Sequence, residues 1–595
     1  MPMTNTERRR HHHPLFNNSY LVLRILRESF WIESGVEDRY HRLAYLQYIF
    51  HRSLVCRAWR TALQPILDSC LIVRISRFPR PTLHERFALA RKHLQSLASR
   101  LQPIGKGKAI PRRHSVVSVT RVKQSNGTIL HFCSNIPIVS PGQVHTIVVS
   151  IDGFLCQHQI GFALQKMKFH EQEWASARTL CLQLDDEPDM PIYDAELRSH
   201  ELTVQKVTKH APNLALFYMV RPQKSQTMAK ISLLDAFPDC MRQLQRLEVH
   251  FDINCSDIPL ELPILTSLTL SVEPGSAASR RLPCGAAGSL QKMELYNVEP
   301  DLLLSMFEAN AGVVRFAELK SLKLSLRTHS FGASDPDSST RIAGVGVGEL
   351  PVVFEKLESA HVFGFQDRVP VGLFPALARA PVKNLYVYLG IRHVTQLELD
   401  KMRHLQNLRL YLPQIEAVQP ILDSVFVKRA EFLHTIYIYT HMRLSGHMPD
   451  FLDMPNIYNL NLGILIPFDQ VRLIITQLPR LVFLKVMLAR DQRTEGALTL
   501  AEMESRVLEN INPLNSLLQV LRVWHYEEFC MPDGRISLRA AMVTGLLASI
   551  PTLARFKGRV SVSAMRSSLA RILDSRLVSA KADHLRHLDV CEGYE

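Results

Sequence analysis

The amino-acid sequence predicts an α/β fold in which strand–helix units repeat along the chain, behind a short helical N-terminal module. Two observations predict the repeats: one triplet of apolar residues recurs along most of the chain, and the stretches between triplets carry apolar residues three and four apart. A third, helical apolar spacing over residues 41–72, predicts the module. At 595 residues the chain exceeds one compact core, which favours a repeat array or about four domains.

The composition excludes several classes of protein. Hydrophobic residues make up 46% of the chain and charged residues 21%, as in soluble globular proteins, so the chain is not wholly disordered, collagen-like or disulfide-dense. No apolar run reaches the roughly 18 residues of a membrane span, and no apolar segment follows the basic N-terminus as in a secretory signal. The ten cysteines include no CxxC pair. We therefore expect a cytoplasmic or nuclear protein with reduced thiols, no membrane contact, no metal site and no cofactor.

Positive charge is concentrated at the N-terminal end. Residues 1–123 hold 23 Lys and Arg against 7 Asp and Glu, a net charge of +16, whereas the whole chain carries +14. Such a segment attracts acidic partners or nucleic acid. No zinc-finger spacing and no RNA-binding aromatic motif accompanies it, so nucleic-acid binding is not favoured. We expect residues 1–14 to be a disordered basic tail or a localisation signal, and residues 81–140 to be a basic linker.

Residues 15–80 form the predicted helical module. Apolar residues recur there at helical spacing, as in Leu46, Ile49 and Phe50. One interpretation is a cap over the open end of the repeat array, which stacked repeats require.

A second interpretation comes from the string Leu54-Val55-Cys56-Arg57-Ala58-Trp59-Arg60. It resembles the second half of an F-box, and residues 25–30 (ILRESF) resemble the first F-box helix, although the usual Leu-Pro opening is missing and residues 32–45 look inserted. The chain thus resembles fungal-type F-box proteins with degenerate leucine-rich repeats. This implies a Skp-family adaptor, and through it a cullin, as partners. The implied adaptor-binding residues are Leu21, Ile25, Leu26, Leu54, Val55, Cys56, Trp59 and Leu63.

The repeat pattern reads apolar, two residues, apolar, one residue, apolar. Its first positions are 177, 244, 265, 290, 319, 357, 382, 405, 433, 457, 481, 518 and 585, with a degraded copy near Leu214 and Tyr218. From 244 to 481 the mean step is about 26 residues, within the roughly 20–29 of leucine-rich repeats. We therefore predict an irregular leucine-rich-repeat solenoid over residues 141–595, with a flexible insertion at 328–348. An ordinary α/β protein is the alternative.

Local signals divide each repeat into strand and helix. The last two residues of a triplet point to one side of an extended strand, where neighbouring repeats share a core. Pro263, Pro381, Pro455 and Pro479 each precede a triplet and are expected to end the helix before it. Apolar spacing predicts a helix around Val471–Leu478.

No catalytic motif is found in the sequence, and we expect a protein that is not an enzyme. The resemblance implies a substrate-recognition adaptor of an SCF-type ubiquitin ligase, whose repeats bind a protein client in ubiquitin-dependent degradation. The candidate client-binding residues are those predicted to face solvent between triplet positions: Glu248, Thr269, Lys323, Tyr386, Arg409 and Asn461. Two alternatives stay open, a leucine-rich-repeat interaction scaffold without ligase association and a nucleic-acid factor that binds through its basic tail.

Overall fold

The computed structural model describes part of the chain. The described residues are 69–76, 118–123, 129–134, 140–152, 157–185, 205–220, 243–253, 262–272, 287–298, 303, 313–326, 352–364, 372–389, 399–412, 422, 423, 425, 432–443, 454, 456–488, 497–498, 502, 505, 514, 517–524, 536–558 and 583–592. The chain divides into two compact units, Met1–Leu290 and Gln291–Glu595. Both combine a mainly parallel sheet with helices, so the predicted α/β class is confirmed.

The first unit is built around six parallel strands. Its described strands are β1 (Cys70–Ser76), β2 (Ser118–Lys123), β3 (Ile129–Ser134), β4 (Thr146–Asp152), β5 (Thr179–Asp185), β6 (Leu216–Val220), β7 (Arg246–Ile253) and β8 (Ser267–Val272). Residues 157–166 form helix α1 (Gln157–Lys166), and residues 205–210 are also helical. Strands β1, β4, β5, β6, β7 and β8 pair in that order and in parallel. Strand β3 pairs antiparallel with both β1 and β2.

The second unit is built from strands of the same type. Its main strands are β9 (Lys292–Val298), β11 (Ser321–Leu326), β13 (Ser359–Gly364), β14 (Asn384–Leu389), β15 (Asn407–Tyr411), β16 (Thr435–Arg443), β17 (Asn459–Ile466), β18 (Phe483–Leu488), β20 (Val520–Trp524), β22 (Arg555–Gly558) and β23 (Asp589–Glu592). They pair in this order, all in parallel.

Short pairs and helices complete the second unit. The remaining elements are β10 (Val314–Phe316), β12 (Val352–Phe354), β19 (Ala497–Leu498), β21 (Ile536–Ser537), α2 (Leu373–Arg379), α3 (Phe468–Gln477) and α4 (Leu538–Ala548). Strands β10 and β12 pair in parallel, whereas β19 and β21 pair antiparallel.

In both units, the turns that precede successive strands are joined by the same kind of backbone hydrogen bond. The Lys383 amide donates to the Glu358 carbonyl at 2.9 Å, Gln406 donates to Lys383 at 2.8 Å, and His434 donates to Gln406 at 2.8 Å. In the first unit, Arg178 donates in the same way to the His145 carbonyl at 2.9 Å. Because these turns are tied to the preceding ones, neighbouring strands begin in the same register.

The predicted triplets form the core. Apart from Val249, whose side chain lies outside the described part, every predicted triplet residue is at most 8% exposed. The register places them in rows, since Leu385 lies beside Ala360 on one side and Leu408 on the other. Stacked neighbours therefore bury apolar rows that a single strand cannot cover by itself.

Three copies differ from the sequence prediction. Val144, Ile147 and Val149 form a fully buried triplet before the first predicted one. In the degraded copy, Leu214 is 2% exposed and Phe217 is 1% exposed, so Phe217 is a core residue that the sequence pattern did not include. A further copy uses Leu553 and Phe556 and has Gly558 at its third position, which hides it from a search for apolar residues.

The predicted helix near residue 471 is confirmed as α3. Its buried side includes Val471 and Ile474, whereas Leu473 is 36% exposed on the other side. Pro263, Pro381 and Pro479 lie in turns ahead of β8, β14 and β18, as predicted.

The predicted N-terminal ranges are described only in part. Strand β1 falls at the end of the range 15–80, and β2 and β3 fall inside the range 81–140 predicted as a linker. Part of that linker is thus sheet, and its β-branched residues Val119, Thr120 and Val122 are of the types that favour strands. The F-box-like residues and the insertion 328–348 lie outside the described residues.

Candidate recognition face

On the second unit, the side chains opposite the core form three rows across the strands. The polar row is Ser321, Ser359, Asn384, Asn407, Thr435 and Asn459. The central row is Lys323, His361, Tyr386, Arg409, Tyr437, Asn461, Lys485, Arg522 and Lys557. The aromatic row is Phe363, Tyr388, Tyr411 and Tyr439. We call the three rows together the strand face. Parallel register brings them side by side, because residues two apart in a strand point to the same side.

The aromatic row is a run of stacked rings. The Tyr388 and Tyr411 ring centroids are 4.1 Å apart with planes 4° from parallel, and those of Tyr411 and Tyr439 are 4.6 Å apart at 5°. Phe363 continues the row at 6.4 Å from Tyr388. The spacing follows from the distance between neighbouring strands, about 4.8 Å. Each tyrosine ring therefore covers the face of the next, and all three tyrosines are half-buried.

The row ends at Gly463, which is the register partner of Tyr439 in β17. A Cβ at this position would overlap the Cδ2 atom of Tyr439 and lie 3.1 Å from its Cγ. Glycine is thus the residue that lets the last ring lie flat on the neighbouring strand.

The hydroxyls of Tyr388 and Tyr437 keep their protons at neutral pH. Burial is the main cause that raises the pKa of Tyr388, and the neighbouring Tyr411, which is hydrogen-bonded to it, raises it further. Burial also raises the pKa of Tyr437, partly opposed by the positive charge of Arg409. A protonated phenol can donate a hydrogen bond, so these groups suit acceptors such as carboxylate and carbonyl oxygens.

The central row holds cations against aromatic rings. His361 stacks on Tyr386 at 4.1 Å, and the Arg409 guanidinium lies 4.9 Å from the centroid of the Tyr386 ring. The Lys323 ammonium lies 5.2 Å from the Phe363 centroid, and the Arg522 guanidinium lies over Phe483. Cation–π contacts orient these groups without neutralising their charge.

Acidic residues lie only at the ends of this set of strands. Glu294 on β9 pairs with Lys292 at 3.2 Å, and Asp589 on β23 pairs with Arg555 at 2.9 Å. Between them, no Asp or Glu occupies the described outward positions of β11 to β22. Within the described chain, no carboxylate lies within ion-pair distance of Arg409 or Arg522. The strand face is therefore positive and partly apolar along its length.

The first unit differs, and here two sequence expectations are wrong. Glu248 is 7% exposed and Thr269 is 1% exposed, although both were predicted to face solvent. Their row also contains the buried apolar side chains of Val148 and Cys181, against which Leu216 packs. Such a row is shielded from water, and a carboxylate is stable there only when it is paired. Glu248 is paired, because the Arg246 Nε donates a hydrogen bond to its carboxylate at 2.6 Å.

The other four candidates are brought together. Lys323, Tyr386, Arg409 and Asn461 all lie in the central row, on β11, β14, β15 and β17. Arg409 is exposed and the other three are half-buried. The structure thus places these four residues in one row, and their binding of a client stays a prediction. The candidate adaptor-binding residues, Leu21, Ile25, Leu26, Leu54, Val55, Cys56, Trp59 and Leu63, lie outside the described residues.

The aromatic row was not predicted from the sequence. Its members stand six residues after the first position of a triplet, as Tyr411 follows Leu405 and Tyr439 follows Leu433. They would have been found by aligning the repeats on their triplets and inspecting the sixth residue after each first position, two residues beyond the candidate client-binding position. Arg522 and Lys557 were missed in the same way, at the fourth position after Leu518 and Leu553.

Comparison with known proteins gives no relative to guide the interpretation. No protein-family model matches the chain, and no curated protein matches it significantly.

A metal-binding cluster and a membrane-spanning helix are both absent from the described residues. In that part of the chain, no three His, Cys, Asp or Glu side chains are close enough together to hold a metal ion. None of the helices described above combines the length and apolar character needed to cross a membrane.

Proposed function

We propose that this protein is a non-catalytic substrate-recognition subunit of an SCF-type ubiquitin ligase. Residues 15–80 would bind a Skp-family adaptor and through it a cullin. The repeats would form an irregular leucine-rich-repeat solenoid whose strand face holds a protein client.

The strand face carries the client-binding half of this proposal. Across the second unit, one side of the parallel strands is packed with triplet residues such as Leu385 and Leu408, which are at most 1% exposed. The other side presents cations, amides and tyrosine hydroxyls in fixed rows. Pre-ordered side chains bind a partner at a lower entropic cost than mobile ones, and aromatic and Arg side chains are common at the centres of protein interfaces.

The adaptor-binding half rests on the resemblance of residues 54–60 to an F-box. Helices of that family pack apolar side chains into a groove of the adaptor, which is a helix-in-groove mode of recognition. The alternative is an interaction scaffold in which the same helices only cap the repeats. The two functions differ in whether the adaptor binds.

We expect Leu54→Asp to abolish binding of a Skp-family adaptor. A carboxylate in an apolar groove loses its hydration without gaining a partner, which costs several kcal/mol and so lowers affinity by about 100-fold or more. The measurement is a pull-down of purified adaptor by the full-length chain, followed by titration of the bound pairs.

Leu473→Asp is the matched control, because Leu473 is 36% exposed on α3, outside the module. Circular dichroism should show both variants folded. Loss of binding only in Leu54→Asp supports the ligase function. Failure of the folded wild-type chain to bind any Skp-family adaptor rejects it and leaves the scaffold function.

A further inference from the structure

The strand face is more positive than the part of the chain to which it belongs. Residues 124–595 carry a net charge of −2, yet Lys323, Arg409, Lys485, Arg522 and Lys557 share one row. A positive surface on a near-neutral body selects partners at close range, because opposite charges complement each other at the contact itself. The partner of this face is therefore expected to be acidic.

The cations along the row are regularly spaced. Lys323 on β11, Arg409 on β15 and Lys485 on β18 are each three strands apart in the order of pairing. With about 4.8 Å between strands, three steps span about 14 Å. Four residues of an extended peptide span about 13 Å, and residues four apart point to the same side. Carboxylates at positions i, i+4 and i+8 would thus meet these three cations.

The two arginines of the row are positioned without a carboxylate. The Arg409 guanidinium is held by the Tyr386 ring and the Arg522 guanidinium by Phe483, 5.1 Å away. The Nε atom of Arg522 is covered but has no hydrogen-bond partner. Arginine binds a carboxylate through two parallel hydrogen bonds, so two such side chains give an acidic peptide firm anchors.

A peptide suits this face better than a single-stranded nucleic acid. Proteins bind single strands by stacking bases on open aromatic rings. Here Tyr388, Tyr411 and Tyr439 stack on one another, and Tyr386 is covered by His361 and by Arg409. Ring faces that cover one another offer little surface for stacking bases, whereas the cations of the central row suit peptide carboxylates.

We propose that the strand face binds an extended acidic segment of the client, running across the strands with carboxylates about four residues apart over Lys323, Arg409 and Lys485. This inference rests on the proposed function, since it names the kind of client segment that the repeats hold.

The test uses the full-length chain and synthetic peptides of 13 residues with a fluorescent label. One peptide has Glu at positions 3, 7 and 11 among Ser, Thr and Ala, a second has Gln at those positions, and a third has its three Glu in succession. Fluorescence anisotropy at low salt measures affinity. We expect the spaced Glu peptide to bind about tenfold or more tightly than the Gln peptide, and several-fold more tightly than the clustered one.

Charge reversal locates the binding. Arg409→Glu combined with Arg522→Glu should weaken the spaced peptide about 100-fold. The matched control reverses Arg403 and Arg480, which are exposed in turns ahead of β15 and β18, and should change affinity less than about threefold because its charges lie off the face and are screened. Equal losses in both double variants would contradict the proposal, as would equal binding of the three peptides.

A labelled oligothymidine of 20 nucleotides is the competing probe. Tighter binding of this strand than of the spaced peptide, lost in the Arg409/Arg522 variant, would overturn the inference in favour of nucleic acid. Adaptor binding separates this inference from the proposed function. If the chain binds the adaptor but none of the acidic peptides, only the inference fails; if it fails to bind the adaptor, the ligase function fails whatever the peptides do.

Discussion

Replacing Phe556 by alanine is expected to destabilise the second unit by about 3–5 kcal/mol, the usual cost of emptying an aromatic site in a packed core. Phe556 is fully buried on β22 and lies in register between Leu521 and Val590. Its removal leaves a void that stiff neighbouring strands cannot fill. Urea unfolding of the full-length chain, followed by circular dichroism, measures the shift of the transition.

Phe432→Ala is the matched control for this prediction. Phe432 stands in the turn ahead of β16 with 55% of its surface exposed, and its truncation should cost no more than about 0.5 kcal/mol. Equal shifts in the two variants would show that Phe556 does not belong to a stacked core row, and would count against the whole interpretation of the triplets.

The core could be predicted from the sequence because its positions accept few residue types. Leu460 and Leu484, for example, are register partners in one buried row. Polar residues are excluded from such a row, so the apolar triplet remains visible in almost every copy. The copy at Leu553 was missed because its third position is Gly558, where no side chain marks the row. Pattern recognition thus succeeds where packing restricts the residue type.

The strand face was less predictable, for a physical reason. Outward positions alternate with core positions, but alternation alone does not say whether the second side of a sheet meets water. Thr269 and Arg409 occupy equivalent outward positions, yet Thr269 is buried and Arg409 is exposed. Burial of the second side depends on neighbours far away in the sequence, such as Val148 for the first unit. Four of the six candidate residues are exposed or half-buried on the strand face, whereas the two buried ones lie in the first unit.

Gly463→Ala is expected to destabilise the second unit by about 1–3 kcal/mol, although it adds a single methyl group. The new Cβ would overlap the Tyr439 ring and lie 3.2 Å from the Tyr439 Cα, which belongs to the backbone of β16 and cannot move freely. The ring must turn away, which breaks its parallel contact with Tyr411. Urea unfolding measures the cost, and near-ultraviolet circular dichroism reports the loss of the ordered tyrosine stack.

Two further variants decide whether the ring is the cause. Gly288→Ala should be nearly neutral, since a Cβ there has no atom within 4 Å. In a chain that already carries Tyr439→Ala, Gly463→Ala should cost less than half as much, because the clashing ring is gone; the double-mutant cycle gives this coupling directly. An unchanged cost would assign the effect to the backbone of β17, whose register shifts just after Gly463. If the ring is the cause, the glycine also fixes where the aromatic row of the strand face ends.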